Sequence, residues 1–469
     1  MSKTIALGLI ISAVLALNLL RFWQLDTIPS GYHINELGSA VTMQCMAEAG
    51  CDAELTPWPL FGRMQYGQDK PPAYIYPGLI WTKIFGSTVP SLRGFSVFAF
   101  LTGMLGLFLL AKQFLSRSYG AAVVLAATCS PWGWVATRVA VESYFAPVFA
   151  VWGLYFFGRS VHWRDWAMAG LFFTCAMYSY PPARLQLPLM MAALFAFDRR
   201  RRPWPGPSVL SMGAVLAAAL LPMAVKYIQG TLSRRFDQIG IFNRDYLYVF
   251  GKTGNLWDMT NIFFHNYFLH LSPDFLFLRG DRSYMYSTRH SGIFSWLDMA
   301  ALGFLAAFLI LALLRRSWAE NPVIRHRRWL CFLAANFFIG IIPSALTNQE
   351  LPHALRMCGS WPFMMLFTGL MWWSAAECLK GFWPVMALAG IFCGGLLAHQ
   401  YFWLYPDESK VMFGYRALEI AGQLKTPDDW KQFLLVFHKQ PYHCRYFLAH
   451  RLGMTCRQAR DMWLKVPDS

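Results

Sequence analysis

Long apolar runs broken by short polar stretches dominate the chain. A helix needs about 20 mostly apolar residues to cross a bilayer, and about eleven segments meet or approach that length. They begin near Ile5, Phe95, Tyr119, Ser143, Trp166, Arg184, Ser208, Trp296, Trp329, Ser360 and Phe382. The pattern predicts an all-α polytopic membrane protein. Pro181-Pro182, inside Tyr178-Ser179-Tyr180-Pro181-Pro182, breaks the helical pattern, so the spans on either side are read as two joined by a turn. The first run follows Lys3 and has no small-residue cleavage pattern, so it reads as an uncleaved anchor.

Charge placement orients the bundle. With the N-terminus in the cytoplasm, the inner loops carry Lys112 and Arg117, Arg159 and Arg164, Arg199 to Arg202, Arg315 and Arg316, and Arg325, Arg327 and Arg328. An odd number of spans then puts the C-terminus outside. Residues 1–404 form the membrane domain, with outer loops at about 24–72 and 229–292, and residues 405–469 form a small outer segment. About 65 residues are too few to bury a large core of their own, so this tail is expected to pack on the outer loops. The inner loops hold little besides arginine and lysine, which leaves the chemistry to the outer face.

Composition agrees with a membrane protein: 56% of residues are hydrophobic, 14% are charged and the mean hydropathy is +0.35. The net charge of +16 sits mainly in short loops, which argues for membrane topology and against nucleic-acid binding. The 20 tryptophans suit interfacial belts and sugar-stacking surfaces alike. None of the ten cysteines forms a C-x-x-C motif. Cys45 with Cys51, and Cys444 with Cys456, share outer segments and are the pairs a disulfide would join in an oxidising compartment.

The outer face is unexpectedly rich in cations: Arg63, Lys70, Arg93, Arg138, Arg184, Lys226, Arg234, Arg235 and Arg356. Snorkelling side chains paired with Glu142, Asp237 or lipid headgroups account for part of this set. The remainder fits a pocket for a phosphate at the bilayer surface, with Lys70, Arg93, Arg138, Arg184 and Arg356 as candidate ligands. Acidic residues are scarcer there. Glu36, close after the first span, is the first candidate for a general base, and Asp69 the second. His33, His270, Asp274, Asp281 and His353 are candidates for the acceptor side. His265 and His270 lack the i,i+4 spacing of a helical zinc site. No nucleotide fingerprint or nucleophile elbow is present. No cofactor follows from these motifs, and a divalent metal stays open.

Several stretches resemble GT-C glycosyltransferases, and within them the protein mannosyltransferase/aminoarabinose transferase superfamily. They are Arg21-Phe22-Trp23 with Ile28-Pro29-Ser30-Gly31 and Asn35-Glu36, Asp69-Lys70-Pro71-Pro72-Ala73-Tyr74, and Ser130-Pro131-Trp132 through Arg138 and Glu142. Tyr178-Ser179-Tyr180 with Ala183-Arg184-Leu185, His270 through Phe277 with Gly280-Asp281, and Pro352-His353-Ala354-Leu355-Arg356 continue the series in order. The resemblance implies a GT-C bundle of about eleven spans that takes a sugar from a polyprenyl phosphate and hands it to a protein, lipid or glycan acceptor. It also implies a bacterial inner membrane with a periplasmic active face, although topology alone equally fits an endoplasmic reticulum protein with a luminal one. Family members carry an acidic pair at the catalytic centre of the first outer loop, usually Asp then Glu. Here the pair is Asn35-Glu36. An amide is a poor proton acceptor, so the role passes to Glu36, to Asp69, or is lost. Two other readings remain: a lipid-linked-sugar transporter or flippase, and a non-catalytic GT-C-like binding subunit. Against the transporter, the ionisable groups cluster at one face and not at the midplane.

Overall fold

The structure is a computed structural model that describes residues 3–63, 69–159, 162–198, 206–230, 232–243, 247, 254–314 and 325–466. Each of the apolar runs coincides with a helix: Lys3–Leu19, Val89–Phe114, Arg117–Thr128, Phe145–Arg159, Trp163–Met177, Ala183–Asp198, Gly206–Ile228, Trp296–Leu314, Arg327–Ala345, Trp361–Cys378 and Phe382–His399. Among the described residues, 6 helices are long and apolar enough to cross a membrane. Tyr178 to Pro182 form the turn between two separate helices, because the ring of a second proline cannot continue the first one. The basic residues Arg199 to Arg202, Arg315 and Arg316 lie outside the described residues.

The spans pack closely wherever a small residue permits it. A Cβ on Gly369 would stand 2.7 Å from the backbone nitrogen of Val123, so Trp361–Cys378 and Arg117–Thr128 lie in direct backbone contact. Tyr119 donates from the same seam to the Leu366 carbonyl at 2.9 Å. One buried carboxylate within the bundle is fully paired. Asp298 accepts from Thr368 at 2.6 Å and from the Ser295 hydroxyl and amide at 2.7 Å each, joining two spans near the start of Trp296–Leu314.

At one end of the bundle the connections are short, and Lys3 pairs with Glu377 at 2.8 Å. Four larger pieces gather at the other end. The first outer loop folds into the helix Ile34–Ala49, a two-residue antiparallel pair (Gly62–Arg63 with Asp69–Lys70) and the helix Pro72–Phe85. His33 caps the first of these helices: its Nδ1 accepts from the Asn35 amide, and Glu36 reaches back to the His33 amide. The second piece is the short Pro131–Thr137 helix with its following loop. The third contains Arg234–Ile239, Leu256–Leu269 and the π-turn Asp274–Leu278.

The fourth piece is the tail, five helices from Tyr405–Ser409 to Cys456–Leu464. One apolar core runs without a break from Ala6 to Ala459, so tail and bundle share their interior. The tail docks on the first outer loop at several points. Tyr32 stacks between Tyr446 and Phe447, the Val89 amide donates to the Tyr446 hydroxyl at 3.1 Å, and the Cys456 amide donates to Glu48 at 2.9 Å. Gly31, at φ 98°, is pressed against the Phe413 carbonyl where a Cβ would not fit.

The disulfide corrects both pairs expected from the sequence. Cys45 bonds Cys456, with Cα atoms 5.3 Å apart across a separation of 411 residues, while Cys51 and Cys444 are buried free thiols. Neighbours in sequence lost to neighbours in space, because the helix Ile34–Ala49 packs directly on the last two tail helices. Opening this bond by Cys456→Ser is expected to cost about 2–5 kcal/mol. Non-reducing peptide mass spectrometry should recover a Cys45–Cys456 pair from the wild type, and the variant should unfold at a lower temperature.

Candidate functional site

The order of the outer end comes from a buried ion pair. Arg93, near the start of Val89–Phe114, meets Glu36 in a fork: Nε donates to Oε1 at 2.8 Å and Nη2 to Oε2 at 2.9 Å. Both side chains are fully enclosed. Glu36 also accepts from the His33 amide at 2.9 Å and the Ala140 amide at 3.0 Å, so each carboxylate oxygen receives two bonds. Arg93 spends its remaining donors on the carbonyls of Leu25, Pro29 and Gly31. The structure therefore separates Glu36 from the role of base that sequence favours. No lone pair is open to a hydroxyl, and no surface is open to a substrate.

Arg138 departs from its expected role in the same way. Its guanidinium is buried and donates to the carbonyls of Leu20, Arg21, Trp23, Gln24 and Ile28, at 2.7–3.3 Å. It lies over the rings of Tyr401 and Phe402. Arg138 thus collects the carbonyls left unpaired where the first span ends, which the chain would otherwise have to expose or waste. Arg93 and Arg138 are fixings of the first outer loop.

Lys70 has a different setting. The short antiparallel pair delivers it beside the start of Ile34–Ala49, where its ammonium donates to Glu142 at 3.0 Å and to the Asn35 carbonyl at 3.4 Å. Its side chain is 4% exposed, but that of Glu142 is 21% exposed and accepts no other bond among the described residues. The Asn35 side-chain amide is part-exposed and makes no hydrogen bond among the described residues. Asp69 pairs through its backbone with Arg63; its side chain lies outside the described residues.

Glu142 faces a second group of residues. Tyr180, from the Pro-Pro turn, and Tyr286, from the loop before Trp296–Leu314, lie within electrostatic range of it and of Arg356. Burial drives both phenols well above their usual range, so they remain proton donors. Arg356 is 9% exposed and donates to the Thr347 hydroxyl at 3.0 Å and to the Gln349 carbonyl. The sequence grouped Lys70, Arg184 and Arg356 around a phosphate; Lys70 pairs with Glu142, and Tyr180 and Tyr286 lie within electrostatic range of both Glu142 and Arg356. Tyr286 was not foreseen, because an isolated tyrosine in a long loop carries no local signal.

The histidines and aspartates divide. His270 is buried; its Nδ1 donates to the Asn266 carbonyl at 2.7 Å, which leaves Nε2 to accept from Ser344 at 2.7 Å and from the His353 amide at 3.1 Å. It holds a loop and has no free edge. Asp281 is also buried, accepting from the amides of Ala354 and Ser283 at 2.7 and 2.9 Å. His353 stacks on Tyr286 with ring centres 4.8 Å apart, and its Nδ1 stands 3.9 Å from Asp281. Asp274 is exposed and pairs with Arg279 at 3.5 Å, away from this group. Arg184 lies near the Tyr227 hydroxyl at 3.3 Å and the Phe61 ring. His33 is committed to its helix cap. Among the described residues, no three His, Cys, Asp or Glu side chains gather to hold a metal ion.

Comparison with known proteins sets this arrangement in a family context. Residues 69–225, less than half of the chain, match the family described as dolichyl-phosphate-mannose-protein mannosyltransferase. The chain is similar to the crystal structure of an Archaeoglobus fulgidus oligosaccharyltransferase tethered to an acceptor peptide, at 14% identity and a TM-score of 0.50, covering 95% of this chain and 59% of that one. It therefore spans less than two thirds of that enzyme. It is also similar to ArnT from Cupriavidus metallidurans bound to undecaprenyl phosphate, at 14% identity and a TM-score of 0.48, covering 97% of this chain and 75% of that one. No curated protein matches. The fold is that of the GT-C glycosyltransferases, and residues 69–225 resemble their mannosyltransferase members.

Two outcomes follow from these interactions. Glu36→Gln leaves Arg93 buried without its counter-charge and should cost about 3–5 kcal/mol, read as a sharp loss of folded protein in detergent. Burial also holds His33 and His270 at about 4 and pushes His353 well down, against an ordinary value of 6.5. The folded state thus binds fewer protons than the unfolded one as pH falls from 6.5 towards 4, and stability falls with it. Asp281 works in the opposite sense: burial raises it from 3.8 to about 7, so its share of stability is lost as pH rises through that window. The three imidazoles outweigh the single carboxyl, so the unfolding temperature should drop between pH 6.5 and 4. His270→Gln, which keeps a donor and an acceptor, should make that slope visibly shallower.

Proposed function

We propose that this GT-C-type membrane protein transfers a sugar from a polyprenyl phosphate to an acceptor on the non-cytoplasmic side of the membrane. One observation carries the reading. Lys70 is paired with Glu142, and Tyr180 and Tyr286, both protonated, lie within electrostatic range of that carboxylate and of Arg356, a cation from a distant part of the chain. This group stands at the end of the spans where a lipid-anchored phosphate would arrive. Its donors match the needs of a leaving phosphate, whose oxygen gains negative charge as the bond to the sugar breaks. Lys70 supplies a mobile point charge and Arg356 a fixed fork.

In this reading, the prenyl chain remains in the bilayer while its phosphate sits between Lys70 and Arg356. The acceptor hydroxyl attacks from the opposite face of the sugar, which inverts the anomeric centre. The stacked rings of Tyr286 and His353 flank the approach. Residues 1–404 act as the transferase body, and residues 405–469 brace its first outer loop from behind. The arrangement of charged loops favours a cytoplasmic N-terminus and a periplasmic active face in a bacterial inner membrane. The family match at residues 69–225 and the undecaprenyl phosphate bound by the similar ArnT agree with a lipid-phosphate donor. The acceptor is a protein, lipid or glycan.

Purified protein would be given synthetic polyprenyl-phosphate mannose, glucose or aminoarabinose together with an acceptor extract from the host membrane. Release of free polyprenyl phosphate is expected only when the extract is present. Lys70→Ala and Arg356→Ala should each slow that release by about 100-fold or more. Movement of the intact lipid across the bilayer without release would support a flippase and sink the transferase reading. Tight donor binding without release or movement would support a non-catalytic subunit.

A further inference from the structure

We infer that Glu142, rather than Glu36, takes the proton from the acceptor, and that Lys70 serves both this carboxylate and the donor phosphate. The inference rests on the transferase reading above and deepens it.

A base for a hydroxyl must present an uncommitted lone pair at a place the acceptor can reach. Glu36 fails on both counts, being fully enclosed with both oxygens doubly bonded. Asp281 is 2% exposed and already accepts two backbone amides. Glu350 is on the open rim, 71% exposed, and near the His353 ring at 3.8 Å. Glu142 alone among these combines partial burial with vacant acceptor positions: its side chain is 21% exposed and receives one bond, from Lys70. The other groups facing it are the phenols of Tyr74, Tyr144, Tyr180 and Tyr286, which stay neutral.

The position of Lys70 links the two halves of the reaction. An ammonium has three donors on a flexible stem, and here they already serve Glu142 and the Asn35 carbonyl. A donor phosphate arriving here competes with Glu142 for this ammonium. As Lys70 turns towards the phosphate, a Glu142 oxygen is freed to face the acceptor hydroxyl at the moment the donor is in place. The proton then passes from the acceptor hydroxyl to a Glu142 oxygen. The acceptor oxygen forms its bond to the anomeric carbon, the carbon–phosphate oxygen bond breaks, and the electron pair leaves on polyprenyl phosphate.

The geometry also says where a substitute carboxylate would fit. Residue 35 also meets this ammonium, 3.4 Å away through its backbone carbonyl, and its side-chain amide makes no hydrogen bond among the described residues. Asn35→Asp adds a carboxylate to the residue whose carbonyl Lys70 already touches, with almost no change of shape.

The test is steady-state transfer by the full-length protein, using the polyprenyl-phosphate sugar that the wild type turns over. Glu142→Gln is expected to lower kcat by about 100-fold or more with little change in donor KM. Adding Asn35→Asp to that variant should recover at least about tenfold. Unfolding temperatures close to wild type exclude a folding defect; if Glu142→Gln does not fold, Glu142→Asp keeps the charge and should lower kcat about tenfold. Glu142→Gln with activity within threefold of wild type, or a loss confined to donor KM, would overturn the inference, the latter by showing that Glu142 only positions Lys70. An unchanged kcat in Glu142→Asp would overturn it too. Wild type that releases no lipid phosphate from any donor sinks the transferase reading itself, and this one with it.

Discussion

The Glu36–Arg93 pair is the constraint on which the outer half of the molecule depends. Two opposite charges without access to water attract strongly, but they were costly to bury and are kept only because every donor and acceptor is satisfied. The fork ties the start of Ile34–Ala49 to the top of a span, and its spare contacts reach Ala140 on one side and the carbonyls of Leu25, Pro29 and Gly31 on the other. Three loops that bear reactive groups are thereby set relative to one another. Glu142 follows two residues after Ala140, which donates to Glu36, and meets Lys70 at 3.0 Å, where that ammonium also reaches the carbonyl of neighbouring Asn35. A rigid support beneath such polar groups is what electrostatic catalysis requires, since dipoles that must reorganise lose their advantage.

The bundle was legible in the sequence because a membrane imposes one simple rule, that each span be long and apolar. The turn at Pro181-Pro182 was legible for an equally local reason. Roles of the cations were not. Arg93, Arg138, Lys70 and Arg356 look alike as basic residues at outer helix ends. Whether such a side chain turns towards a substrate or towards carbonyls depends on which backbone groups were left unpaired many residues away. Arg138 is the clearest case: its partners lie more than a hundred positions earlier, at the frayed end of the first span. The same holds for Glu36, whose place next to Asn35 signals catalysis in sequence while its contacts show a buried strut.

Glu142 presents the converse. In sequence it is one acid following an arginine by four positions, readily taken for that arginine's partner. In the fold Arg138 turns to carbonyls and Glu142 pairs instead with Lys70, from another loop. The Tyr286–His353 stack likewise depends on two loops meeting and has no local signature. What the chain reveals in one dimension is its partition between lipid and water; what it conceals is which polar groups have already been used up by each other.

The Cys45–Cys456 bond has a bearing on how the molecule comes into being. A polypeptide made from its N-terminus exposes Cys45 early, with Cys51 a few residues behind it, whereas Cys456 follows only after every span has been threaded. In the orientation proposed, the first thiol must wait through most of biosynthesis in an oxidising compartment, with a near and wrong partner at hand. The helix Ile34–Ala49 offers one safeguard, since Cys45 is held within it while Cys51 lies beyond its Gly50 terminus. Maturation of this protein is thus tied to thiol chemistry, and oxidation that comes too soon would close the wrong loop before the right one exists.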